Sequence, residues 1–203
     1  MVILEAKSLA KNYGRRVVLR DANLTISPGE IVGITGANGA GKSTLLKILV
    51  GLMRPDGGTI RLNAPMGYCP QQILLYDQLT VEEHFRYFLA ARRAESSWWQ
   101  AGMRLADRYR FTAWWNERVA ILSEGTRQKL NLSLALAQGP DLLLLDEPYA
   151  GFDWETHLLF WAHAAELKQA GKALLIVSHL FHDRSRFDRL LRIAEGRIEE
   201  VRP

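Results

Sequence analysis

"EIVGITGANGAGKST", Glu30 to Thr44, joins a short apolar run to a glycine-rich turn and opens into "KSTLLKILVG", a helical pattern stopped by Gly51. Within it, "GANGAGKST" carries Gly36, Gly41, Lys42 and Ser43 at the spacing of a phosphate-binding loop. Glycines let the backbone curl so that amide N–H groups point inward, and the following helix adds its positive dipole end. Lys42 is placed for the β- and γ-phosphates and Ser43 for Mg²⁺, while Asn38, Gly39, Ala40 and Thr44 complete the loop. A glycine-rich turn can arise by chance. The strand before it and the helix after it favour the functional reading.

Two more runs, "LLLLD" ending at Asp146 and "ALLIVS" ending at Ser178, share the all-apolar character of "IVGIT". Strands covered on both faces, the central strands of a parallel sheet, have this composition. Each run gives way at its carboxyl end to polar residues: the glycine-rich loop, "DEP" and His179. Ligands of open α/β sheets bind outside the carboxyl ends of the strands, so all three sets are expected at one edge. Asp146 is then placed to hold Mg²⁺ and Glu147 to polarise an attacking water. An acidic pair at a strand end is usually a solvated terminus; a phosphate loop in the same sheet changes that balance.

The rest of the chain fits one α/β domain over residues 1–203. "VILEAKSL" and "VVLRDANLTI" predict antiparallel strands, "PDGGTIRLN" a turn and strand, and "RLLRIAEGRIEEV" a terminal hairpin. A helical subdomain is expected at about 72–138, including "TVEEHFRYFLAARR", with another helix from about Asp153 to Ala170. Its tryptophan pairs, Trp98–Trp99 and Trp114–Trp115, either pack that subdomain or form a docking surface. The net charge of +4 could favour an acidic partner such as nucleotide, nucleic acid or an anionic membrane face, but the positive residues are scattered as on a generic solvated surface, and nucleic acid is not the expected partner. A single cysteine, Cys69, permits no internal disulfide and suits a reducing compartment. The first residues lack the pattern of a signal peptide, and no apolar run approaches the roughly 20 residues of a membrane span.

With these motifs in order, the chain resembles the nucleotide-binding domain of ATP-binding cassette (ABC) ATPases over nearly its whole length. The resemblance implies a P-loop NTPase fold with a mostly parallel central sheet, an antiparallel β subdomain and a small helical subdomain. It implies that Tyr13 in "KNYG" stacks on adenine. Gln71 in "YCPQQ" would sense the γ-phosphate, approach Mg²⁺ and contact a transport partner. "YAGFD" matches the loop ending at Asp153, and His179 the histidine that contacts the γ-phosphate. "LSEGT" stands where the family's signature sits. Members pair head to tail, so Ser123 and Gly125 would approach the ATP held by a second subunit, identical or different. The loop between "TIRLN" and "MGYCPQQ" is shorter than is common in the family, and only Ala64 and Pro65 fill it.

The signature departs from the family's commonest form by placing Glu124 between its serine and glycine. Ser123 reads as a helix N-cap and Glu124 as a first-turn residue, where the helix dipole favours a carboxylate by ~0.3–1 kcal/mol. Gly125 is the position at which a Cβ would intrude on ligand, and Arg127 and Lys129 offer charge to offset Glu124. A competent site with weaker closure is expected, a degenerate site being the alternative. The resemblance then implies an ATP-hydrolysing subunit, peripheral on the cytoplasmic face of the membrane and serving a separate integral membrane subunit. "PQQILLYDQLTVEEHF" looks most like export systems, including the haem-exporter ATPases of cytochrome c maturation. The alternative is a soluble ABC-type ATPase acting on a macromolecular complex. Such members usually carry two cassettes or a long coiled-coil insertion, neither of which this sequence shows.

Overall fold

A computed structural model describes residues 2–72, 74–90, 98–178 and 183–201, without the side chains of 89, 90 and 98. The chain divides into two compact units. The first comprises residues 1–68, 140–147 and 165–203, and the second residues 69–139 and 148–164.

In the first unit, β1 (Leu4–Tyr13) pairs antiparallel with β2 (Arg16–Ile26) and with β4 (Gly57–Leu62). The predicted strand after "PDGG" thus lies beside β1, giving the order β2-β1-β4. A six-stranded sheet contains β3 (Ile31–Thr35), β5 (Met66–Cys69), β6 (Leu142–Asp146), β7 (Ala173–Val177), β8 (Arg189–Ala194) and β9 (Arg197–Val201), in the order β5-β6-β7-β3-β8-β9. The three apolar runs are neighbours: β6 is parallel to β7, and β7 to β3. Every residue of β6 and β7 is buried, which is why neither shows the polar alternation of a half-exposed strand. The terminal hairpin forms as expected, β8 against β9. Helix α1 (Lys42–Leu49) follows the glycine-rich loop and buries Leu45, Leu46, Ile48 and Leu49 in the same core as Leu142, Leu144, Leu175 and Val177.

The second unit is helical. Helix α2 (Val81–Ala90) begins with a reciprocal cap: Glu83 N–H donates to Thr80 Oγ1 at 3.1 Å and Thr80 N–H to Glu83 Oε2 at 2.8 Å. Helices α3 (Trp98–Arg108) and α4 (Glu124–Ala137) follow, and α5 (Trp154–Gln169) starts in this unit and ends in the first. Trp115 is buried and stacks on Phe85 with centroids 5.4 Å apart, and Trp99 meets Trp115 edge-on at 6.5 Å. Trp99 and Trp114 keep exposed area, so the tryptophans divide between packing and surface; the Trp98 side chain lies outside the described residues. Cys69 is buried and accepts from Asn131 Nδ2 at 3.3 Å.

Candidate functional site

The register of the parallel strands brings the first cluster together. Asp146 and Ile34 each pair with Val177, so the ends of β6, β7 and β3 align. Glu147 N–H donates to Val177 O at 2.9 Å, and Ser178 N–H donates to Ile34 O at 3.2 Å. Asp146 is buried at 2% exposure, and Lys42, at the start of the helix that follows β3, at 7%. Burial holds the Lys42 ammonium below its ordinary range, although the Glu147 and Asp146 carboxylates partly offset this. Lys42 Nζ donates to Gly36 O at 2.7 Å and Ala37 O at 3.1 Å, closing the glycine-rich loop over its own lysine. Gly41 is in the left-handed region at φ 107°, and a Cβ there would come within 2.8 Å of Val18 Cγ1. This position therefore requires glycine both for its turn and for its packing.

Glu147 also has left-handed backbone, φ 51°, which a side chain larger than glycine adopts at a cost of order 1 kcal/mol. Its Oε2 accepts from Ser178 Oγ at 3.1 Å. Ser43 lies in the first turn of α1, beside Lys42. Its hydroxyl and the Asp146 carboxylate are hard oxygen donors of the kind Mg²⁺ takes, so the donor chemistry fits that ion. His179 lies outside the described residues. Tyr13 ends β1 with nearly half its surface exposed, and its hydroxyl donates to Met53 Sδ at 3.1 Å.

The second unit holds Gln71, Ser123 and Gly125. Gln71 is exposed and follows Pro70, whose carbonyl accepts from Asn131 Nδ2 at 3.0 Å. Ser123 caps α4 as expected, its Oγ accepting from Thr126 N–H at 3.2 Å, and Glu124 is exposed in the first turn. A Cβ on Gly125 would fall 2.8 Å from Gly151 O. The absence of a side chain there serves a contact within the chain, whatever it does for a ligand. Gln128 Nε2 donates to Pro148 O at 3.1 Å in a buried setting. Arg127 pairs with Asp77 at 3.0 Å and Lys129 approaches Asp153 at 3.9 Å, so both cations expected to offset Glu124 are engaged elsewhere. Asp153 accepts from Thr156 N–H at 2.7 Å, and this bond holds its carboxyl below the usual range.

Two contacts at the first cluster were not foreseen from the sequence. Arg16 pairs in register with Tyr13 and its Nη2 donates to Gly39 O at 2.8 Å, tying the β1–β2 hairpin to the glycine-rich loop. Ser178 reaches Glu147. The signals were proximity to Tyr13 for one and to His179 for the other.

A glycine-rich loop of P-loop pattern after a central parallel strand, with an acidic pair at the same end of the sheet, is the arrangement of P-loop proteins. A sequence model of the family described as ABC transporter matches residues 19–150. The chain belongs to that family and is one of its nucleotide-binding ATPase domains. Nod factor export ATP-binding protein I of Sinorhizobium fredii is 36% identical over 221 residues, covering 100% of this chain and 63% of that protein. The protein of the same name from Paraburkholderia xenovorans is 34% identical over 212 residues, covering 96% and 68%. The chain thus spans about two thirds of the length of these relatives. A solved structure described as the ATP-binding subunit of an ABC transporter superposes with a TM-score of 0.89 at 30% identity, over 97% of this chain and 88% of that one. A nucleotide-free ATP-binding cassette from an ABC transporter shares the fold, with a TM-score of 0.82 at 22% identity over 100% and 92%.

Proposed function

We propose that this domain binds ATP with Mg²⁺ and couples its hydrolysis to a separate integral membrane subunit of an export-type transporter. The observation that carries this is that Lys42, opening the helix after β3, and Asp146 and Glu147, at the end of β6, lie at the same end of the aligned strands β6-β7-β3. Relatives named as export ATP-binding proteins support the direction of transport. In this reading Tyr13 stacks on adenine, the backbone of Gly36 to Thr44 cradles the phosphates, and Lys42 neutralises them. Ser43, Asp146 and Gln71 hold Mg²⁺, which when bound offsets phosphate charge. Glu147 orients and polarises the water, and His179 contacts the γ-phosphate.

Ser123 and Gly125 approach the ATP of a second subunit, identical or different, when two domains close. The two units act as a single nucleotide-binding domain at the cytoplasmic face, with the helical part at about 72–138 facing the membrane partner. Among the described residues no helix is long and apolar enough to cross a membrane, so in this reading the partner supplies the path.

Co-expression with a candidate polytopic membrane protein, one encoded by a neighbouring gene for instance, followed by purification in detergent, tests the coupling. Recovery of a stoichiometric complex whose ATPase rate changes on reconstitution into vesicles is expected. Stoichiometric recovery with ribosomes or DNA, and none with membranes, would contradict it.

A further inference from the structure

We propose that Ser178 is a positioning residue for hydrolysis, its hydroxyl setting the direction of the Glu147 carboxylate. The proposal rests on Glu147 being the group that polarises water. Ser178 is 3% exposed and directly follows the wholly apolar strand Ala173–Val177, so a buried hydroxyl stands at that strand's carboxyl end. Its Oγ donates to Glu147 Oε2 at 3.1 Å. One residue earlier, Val177 O accepts from Glu147 N–H at 2.9 Å. Consecutive residues at the end of β7 therefore hold Glu147 at two points, one on its backbone and one on its carboxylate.

Both points are needed for different reasons. The bond to Val177 and the left-handed φ fix where the Glu147 side chain begins, but three rotatable bonds still separate Cα from the carboxylate. Fixing one carboxylate oxygen with a donor orients the plane of the group, and with it the lone pairs that face water. The clamp is referenced to the phosphates as well, because Ser178 N–H is bonded to Ile34 O of β3, the strand that leads into the glycine-rich loop. Ser178 so connects the base to the frame that holds its substrate.

Ser178→Ala removes the hydroxyl with little change of volume. The expected result is a kcat lowered about ten- to a hundredfold, the scale of a lost hydrogen bond to a charged group. KM, the affinity for a fluorescent ATP analogue and the thermal midpoint should stay at wild-type values. In the Glu147→Gln background the same substitution should change the residual rate by less than about twofold, because the group it positions is gone. An unchanged kcat in Ser178→Ala beside an inactive Glu147→Gln would overturn the clamp alone. So would a loss that persists at full size in the Glu147→Gln background, or one carried by KM and nucleotide affinity. Full turnover by Glu147→Gln itself would remove the base, and the clamp with it.

Discussion

Gly125 and Glu124 are neighbours under opposite constraints. Glu124 is exposed in the first turn of α4, where its charge meets the positive end of the helix, and neither Arg127 nor Lys129 is committed to it. Gly125 has Gly151 O waiting at 2.8 Å from any Cβ, and a backbone carbonyl cannot swing aside as a flexible side chain can. Glu124→Gly should therefore leave hydrolysis intact or raise it modestly, while lowering stability by ~1 kcal/mol through lost dipole interaction and glycine's backbone entropy. Gly125→Ala should already separate α4 from the Gly151 segment and lower stability by ~1–3 kcal/mol, as overpacking does. Gly125→Asp should abolish nucleotide-dependent closure. Thermal midpoints and steady-state ATPase rates of the three variants, measured side by side, check this. Equal damage from Glu124→Gly and Gly125→Asp would show that the carboxylate has a role across the dimer.

Helix α2 shows how a titratable side chain can be built into an element rather than a site. His84 is fully buried; its Nδ1 lies 2.8 Å from Thr80 O, and its Nε2 accepts from Tyr76 N–H at 3.0 Å. A carbonyl only accepts and an amide only donates, so the pair of bonds requires a neutral ring protonated at Nδ1. Burial pushes its pKa below the ordinary 6.5, with Thr80 O and Glu83 pulling weakly the other way. The sign follows: below pH 6.5 the unfolded chain takes up a proton that the folded chain resists, so stability falls as pH drops through that region. His84→Gln, whose amide oxygen can still accept from Tyr76 N–H, should flatten the fall. Thermal midpoints of both proteins between about pH 7.5 and pH 5.5 read the difference; parallel curves would contradict the neutral, buried assignment.

Local patterns made the elements legible and distance in the chain hid their contacts. The all-apolar composition of β3, β6 and β7 identified central strands, and "GANGAGKST" identified the turn between β3 and α1, because both signals lie within a few residues. The cap at Ser123 was readable for the same reason. By contrast, the reach of Arg16 to Gly39 spans 23 residues, and that of Ser178 to Glu147 spans 31. The close approach of Gly125 to Gly151, and the pairing of Arg127 with Asp77, likewise depend on which segments the fold brings together. No periodicity encodes such choices. The left-handed backbone of Glu147 was hidden too, since only glycine announces that conformation in a sequence.

At the scale of the molecule, the first unit carries Lys42, Ser43, Asp146 and Glu147, while the second carries Gln71, Ser123 and Gly125. In the proposed cycle Lys42, Ser43, Asp146 and Glu147 serve the ATP of their own subunit, and Ser123 and Gly125 meet the ATP of a partner subunit, so nucleotide turnover and association are coupled. Replacing Glu147 by glutamine separates the steps, because the amide keeps the shape of the side chain and loses its capacity to polarise water. The decisive measurement is size-exclusion chromatography of Glu147→Gln with Mg²⁺-ATP, with phosphate release followed in the same sample. The account predicts a shift from monomer to dimer that requires ATP, with phosphate release at least about a hundredfold below wild type. Phosphate release at the wild-type rate, or a monomer that binds ATP and never associates, would contradict it.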